Sequence, residues 1–263
     1  MLKKRIIPVI LIKEGQIVQS KGFSRHQNIG DPIQSIERYS DWNSDEIMYM
    51  NISPEHTYEE VHRNDIKMKS YSSFPELIGL ISEKNFCPFS VGGGIRSTSD
   101  VDKLFLHGAD KVTFCSALLD SNLDVIKYTI KRYGGQAILI VLDIYKEGDE
   151  YYLYDYRSKL VTSVLVLDAL KLCEKLGVGE IVVQDVRNDG KKMGMDIELF
   201  RVVSDSTRIP VIALGGIGSE FDFLDVFEST NVAAIAAANF FQHTELSVER
   251  VRKYLKTKVN YIR

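Results

Sequence analysis

Two glycine-rich turns are where residue type and spacing in this chain could do chemistry. Val91-Gly92-Gly93-Gly94-Ile95 and Leu214-Gly215-Gly216-Ile217-Gly218 each close an apolar run and open a stretch with helical periodicity. Glycine lets backbone N–H groups approach an anion with no Cβ in the way, and a following helix adds its positive end. One such turn is more simply a tight turn. Two of them, about half the chain apart, point to a pair of phosphate sites. The second is completed by the start of Ala237-Ala238-Asn239-Phe240, and the first by Ser116 beyond the next apolar run. One unit after each turn comes a similar strand, Ala109-Asp110-Lys111-Val112 and Val232-Ala233-Ala234-Ile235, which indicates two related halves.

Other chemistries find no footing. The five histidines show no HExxH or other ligand spacing, and no dinucleotide-binding glycine motif follows the first strand, so neither a metal nor a cofactor is expected. Cys87, Cys115 and Cys173 are odd in number and form no CxxC pair, which fits a reducing cytoplasm better than a disulfide framework. A formal net charge of -3 argues against tracking a nucleic-acid backbone. The apolar run after Lys3-Lys4-Arg5 stops at Lys13-Glu14-Gly15, too short for a membrane span and without a small-residue cleavage site, so it reads as a strand.

The elements that must position the turns follow from the apolar pattern. Runs at Ile6–Ile12, Glu46–Ile52, Pro88–Val91, Lys111–Phe114, Ala137–Ile144, Glu180–Gln184, Pro210–Leu214 and Ala233–Ala236 are short and continuously apolar, as in parallel strands covered on both faces. Helical periodicity lies between them at Ile33–Trp42, Pro75–Lys84, Ser99–His107, Leu123–Tyr133, Val164–Leu176, Ile197–Ser204, Phe221–Glu228 and Ser247–Leu255. Eight such units predict one (βα)8 TIM barrel domain over residues 1–263, an open eight-stranded sheet being the competitor. In such barrels the phosphate site sits after strand seven, with a short extra helix near strand eight, which is where Gly215-Gly216 and Ala237-Ala238 fall. Two segments break the rhythm. Tyr145–Lys159 alternates aromatic and polar residues around Glu147-Gly148-Asp149 and reads as a surface β-hairpin, while Ser53–Ser73 is a long polar connection.

The segments MLKKRIIPVILIKEG, ISEKNFCPFSVGGGI, GADKV, GGQAILIVLD, GVGEIVV, DGKKMGMD and IPVIALGGIG resemble the cyclase (HisF-like) subunit of imidazole glycerol phosphate synthase. The resemblance runs almost from end to end and is weakest in Ser53–Ser73 and around Lys159–Leu167. It implies a ribulose-phosphate-binding barrel of two half-barrels that receives ammonia from a docked glutaminase (HisH-like) subunit. It also implies a ligand phosphorylated at both ends and an aspartate pair for acid–base work. One aspartate falls on Asp143, but Leu11 stands where the other belongs. The substrate-binding lysine falls on Gln19, with Lys21 nearby. The first phosphate loop keeps Gly94, but its Asn-Thr pair reads Cys115-Ser116. The second keeps Asp189, Gly190 and Gly216, while its serine is Ala238, next to the cradle candidate Ala237. Gln184-Asp185 replaces Thr-Ser, and Leu214 replaces a serine. At the opposite mouth the four charges of the family's ammonia gate all match, as Arg5, Glu46, Lys111 and Glu180, and Asp110 matches a partner contact.

Leucine cannot carry a proton, and losing a placed acid or base costs about 10²–10⁴ in rate. A dry Leu11 also predicts that Asp143 holds its proton more tightly. An intact ammonia entrance with an altered mouth indicates the family branch that works with a glutaminase and a sugar amidotransferase in surface-polysaccharide synthesis. Two alternatives stand beside it: the histidine-pathway cyclase itself, using Asp143 with Asp185 or Asp189, and a non-catalytic scaffold for the glutaminase. The charge ring has its own plain reading, since barrel floors often hold stabilising ion pairs.

Overall fold

The computed structural model describes residues 3–22, 25–33, 35, 39, 42, 44–53, 73–120, 123–242 and 247–263. Most of the expected helix Ile33–Trp42 and nearly all of the Ser53–Ser73 connection lie outside them. In chain order the strands are β1 (Arg5–Lys13), β2 (Gln16–Lys21), β3 (Arg25–Gly30), β4 (Ile47–Asn51), β5 (Phe89–Gly92) and β6 (Lys111–Phe114). They continue with β7 (Ile138–Glu147), β8 (Glu150–Asp155), β9 (Leu160–Leu165), β10 (Glu180–Asp185), β11 (Val211–Leu214) and β12 (Ala234–Ala237). The described helices are α1 (Phe74–Ser82), α2 (Thr98–Leu106), α3 (Leu123–Tyr133), α4 (Val166–Leu176), α5 (Ile197–Ser206), α6 (Glu220–Ser229), α7 (Asn239–Gln242) and α8 (Ser247–Lys256). None is long and apolar enough to cross a membrane.

Parallel pairing runs β1-β4-β5-β6-β7-β10-β11-β12 and returns to β1, so eight strands close into a barrel. All eight predicted strands are present, each within a few residues of its expected ends. Successive side chains on a strand point to opposite faces, and closure turns those faces into inside and outside. Ile7, Val9, Met48, Met50, Leu139, Val141, Val182 and Ile212 therefore form an inner cluster. Their neighbours Ile6, Ile10, Ile47, Ile138, Ile140 and Ile181 join the outer core with the helices. Fully burying such a side chain contributes about 1.5–3 kcal/mol, so this alternation is strongly specified.

Both halves extend their first strand into antiparallel structure above the barrel. β1 turns at Glu14-Gly15 into β2 and β3, and β7 turns at Gly148 into β8. The expected hairpin over Tyr145–Lys159 is thus present, but it continues into β9, which pairs with β8. The helix expected from Val164 accordingly starts at Val166. Thr162, whose hydroxyl donates to the Leu153 carbonyl at 2.9 Å, ties that segment into the sheet instead.

The internal echo is also one residue off. Gly215 and Gly216 have φ of 110° and 90°, and the pair with the same left-handed conformation is Gly93 and Gly94, at 93° and 77°. Around each pair the backbone is tightly enclosed. A Cβ on Gly93 would fall 1.9 Å from the Asn51 carbonyl oxygen, and one on Gly216 would fall 2.2 Å from that of Gly194. Gly93→Ala should therefore combine left-handed strain with overpacking and lower stability by about 2–4 kcal/mol. Urea unfolding checks this, with Gly22→Ala as the reference for strain without contact, since nothing lies within 4 Å of a Cβ there.

Candidate functional site

At the C-terminal ends of the barrel strands lies a cavity of about 590 Å³. Its walls include Asp143 and Leu11, and with them Gly94, Ser116, Asp189, Gly190, Gly216, Ala237 and Ala238. The mouth residues named from the sequence therefore converge on one space. The inward row explains why. Leu11 is two residues above Val9, Asp143 two above Val141, and Gln184 two above Val182, so each is the top member of a row whose lower members are inner core.

Asp143 is partly buried, and its pKa is pushed up to about 7, first by burial and then by the nearby charges of Asp189 and Asp155. Leu11, Val9, Met50 and Leu214 dress the same walls in hydrocarbon, which is the source of the poor hydration. A carboxyl in this state can give or take a proton near neutral pH. Cys115 beside it is held far above the usual thiol range by burial and by Asp143, so it stays a neutral thiol. Asp189 shares the cavity and contacts the Gln184 amide at 3.5 Å.

Asp185 does not belong to the site. It sits on the outward face of β10, 4% exposed, and its oxygens accept from the Asn188 side chain at 2.7 Å and the Arg187 N–H at 3.0 Å. The alternative acid–base pair of Asp143 with Asp185 is thereby removed. Gln19 and Lys21 also fail to line the cavity. β2 alternates, and it is Ser20, paired with His26 on β3, that faces the space.

The glycine turns are built alike. Ser97 caps α2 in a capping box with Asp100, and Ser219 caps α6 with Asp222. Asp100 takes the N–H groups of Arg96 and Ser97, and Asp222 takes those of Gly218 and Ser219. The amides just ahead of each long helix are thus taken by that helix's own cap. The preceding Gly-Gly-Ile stretches and Ser116 line the cavity, and on the other side so do Gly190 and Ala238.

At the opposite end of the barrel the structure brings Arg5, Glu46, Lys111 and Glu180 into a closed ring. Arg5 donates to Glu46 at 2.8 Å and also to Glu180, while Lys111 reaches Glu46 at 3.0 Å and Glu180 at 2.6 Å. Burial pushes Glu180 up, but Arg5 and Lys111 outweigh it and hold the carboxyl below its ordinary value. Glu46, only 2% exposed, stays above its ordinary value because burial and the charge of Glu180 exceed what the two cations return. Asp110 lies exposed beside this ring and accepts the Phe89 N–H at 2.9 Å. Between ring and mouth, the Ser90 and Thr113 hydroxyls are buried without a hydrogen-bond partner among the described residues.

Sequence reading missed several groups that line the cavity, among them Arg96, Arg157, Lys192, His26 and Asp120. Arg96 and Lys192 each lie two residues beyond a glycine of the cradle motifs, Gly94 and Gly190, a spacing that was the available signal for them. Arg157 carried no such mark, because its hairpin reads as surface decoration.

A closed (βα)8 barrel with paired glycine cradles over its strand ends defines a class of small-molecule barrels. The chain belongs to the histidine biosynthesis protein family, whose profile matches residues 5–245. It is 35% identical over 260 residues to the imidazole glycerol phosphate synthase subunit HisF of Staphylococcus carnosus, covering 98% of this chain and 97% of that protein. It is 34% identical over 258 residues to the same subunit of Dehalococcoides mccartyi, again over 98% and 97% of the two chains. With that of Hydrogenobaculum sp. it shares 34% identity over 264 residues and 100% of both chains.

Asp143 gives a pH signature. Folding raises its pKa, so its stabilising share is complete below the unfolded value near 4 and is lost as the pH rises through about 7. Asp143→Asn should abolish that loss. Relative to the native chain, the variant gains on the order of 2–4 kcal/mol between pH 4 and pH 8. Urea midpoints at the two pH values measure it, and parallel pH profiles would rule the shift out.

Proposed function

We propose that this chain is the synthase subunit of a glutamine amidotransferase, taking ammonia from a glutaminase partner at the barrel floor and delivering it at the mouth. The delivered ammonia serves amidation of a sugar, with a third protein as the sugar amidotransferase, and a phosphorylated small molecule occupies the mouth. One observation carries this reading: the four-charge ring is complete at one end, while Leu11 faces the same cavity as Asp143 at the other.

The interior supports it. An ammonium ion would have to shed its hydration to pass an inner wall of Val, Ile, Leu and Met, whereas neutral ammonia pays far less. Ser90 and Thr113 offer hydroxyls along the way that no protein group occupies. Carboxylates matched one to one with cations allow a ring this buried to persist, and an opening there admits a small neutral molecule without leaving a lone charge.

The second reading is the histidine-pathway cyclase. Identity of 34–35% to HisF subunits over nearly the whole chain favours it, as does a carboxyl near pKa 7 that shares its cavity with Asp189. In that case Asp143 and Asp189 divide the acid–base work.

Two measurements separate these readings. With ammonium and the ribulosyl substrate of imidazole glycerol phosphate synthase, the purified chain should turn over about 10²–10⁴ more slowly than an ordinary HisF subunit. Comparable turnover establishes the cyclase instead. In the reconstituted complex, Lys111→Leu should cut glutamine-dependent product formation by tenfold or more, on the order of a lost placement, and spare formation from added ammonium. A parallel fall in both makes the ring a stabilising device and the chain a scaffold.

A further inference from the structure

We propose that Arg157 is a specificity-determining residue of the Gly94–Ser116 cradle, supplying the guanidinium that clasps an anionic group seated there, with Asp120 holding that guanidinium until the anion displaces it. This rests on the reading that the cradle takes a phosphate.

Apart from Arg96, the cradle itself is poor in side-chain donors. Gly93, Gly94 and Ile95 offer backbone only, Cys115 is a neutral thiol with a weak S–H, and Ser116 contributes one hydroxyl. Arg157 stands at the turn between β8 and β9, above β7, the strand next to the one that leads into Ser116. It lines the same cavity as Gly94, Ser116 and Asp143. Its Nη1 lies 2.7 and 2.8 Å from the two oxygens of Asp120. Asp120 is one turn beyond Ser116, whose carbonyl accepts the Asp120 N–H at 3.0 Å. The latch therefore joins the strand extension of the second half-barrel to the cradle loop of the first.

The guanidinium is preset. Asp155 takes its Nε at 3.0 Å and one Nη2 hydrogen at 3.2 Å, and accepts the Arg157 N–H at 3.0 Å, so the side chain is oriented by its own turn. Asp120 is the exchangeable partner. That ion pair is exposed, about two-fifths on each side, so solvent screens it and it is weakly held. A phosphate brings more charge than a carboxylate and three acceptor oxygens that match the guanidinium fork. Exchange of Asp120 for phosphate leaves no buried charge behind. The opposite cradle, at Gly190 and Gly216, has its own cation in Lys192, while the Gly94 end has Arg96 on its own loop and Arg157 reaching in from the hairpin.

The test titrates the full chain with inorganic phosphate at constant ionic strength. Arginine Nε resonances are followed, with Arg157 assigned by its absence in Arg157→Lys, and the Ser116 amide reports on the cradle. Both signals should move with one midpoint. Asp120→Asn should lower that midpoint threefold or more, because the competitor is gone. Asp124→Asn, which changes net charge equally without touching Arg157, should leave it in place. Arg157→Gln should raise the Ser116 midpoint about tenfold. Movement of Ser116 with a silent Arg157 and no effect of Asp120→Asn overturns the proposal and leaves the cradle standing. Silence at both overturns the cradle as well.

Discussion

A strand in a closed barrel can send only every second side chain inward, and this one constraint arranges the whole molecule. β1 shows it most plainly. Arg5, Ile7, Val9 and Leu11 point into the barrel, while Ile6, Ile10 and Ile12 pack beneath the helices. One strand thereby contributes a charge to the floor, hydrocarbon to the middle and a wall to the mouth. β7 and β10 repeat the plan, ending at Asp143 and Gln184. A shift of a single residue would turn every one of these side chains to the wrong face.

The same dryness shapes both ends with opposite results. At the floor it forces four charges into mutual neutralisation, because a cation or carboxylate left alone there would cost about 3–5 kcal/mol. At the mouth Asp143 has no cation as an ion-pair partner among the described residues. Burial and two like charges therefore raise its pKa rather than being offset. Leu11 fits that setting, since a second ionised group in the same wall would meet the same penalty. The barrel thus holds a balanced polar ring below, an apolar shaft, and a proton-holding acid above.

The half-barrel echo gains a physical basis in the loops. Asp100 and Asp222 take the amides just ahead of their helices, and the preceding glycines adopt left-handed conformations pressed against neighbouring carbonyls. Glycine is thus required at Gly93 and Gly216 by backbone geometry alone. The plain reading of those turns and the anion-binding one are both served by the same residues. What favours binding is that both turns open into one cavity, with Arg157 and Lys192 along its wall.

Much of this was legible in the sequence. Continuous Val/Ile/Leu runs, spaced by helical periods, determined eight parallel strands covered on both faces, and closure into a barrel was decided by the pairing of β12 with β1. The glycine turns were legible too, since strand ends and loop starts are local features, whereas the four floor charges and Asp143 were picked out by the family resemblance. Tertiary structure alone decided which of them meet. Asp185 and Asp189 are near neighbours in sequence, yet pleating sends one outward into its own loop and leaves the other in the cavity. β9 took residues with helical periodicity because a cross-strand partner in β8 was within reach. Arg157 and Asp120 came together only through the adjacency of β6 and β7, a contact between distant segments that no local pattern encodes.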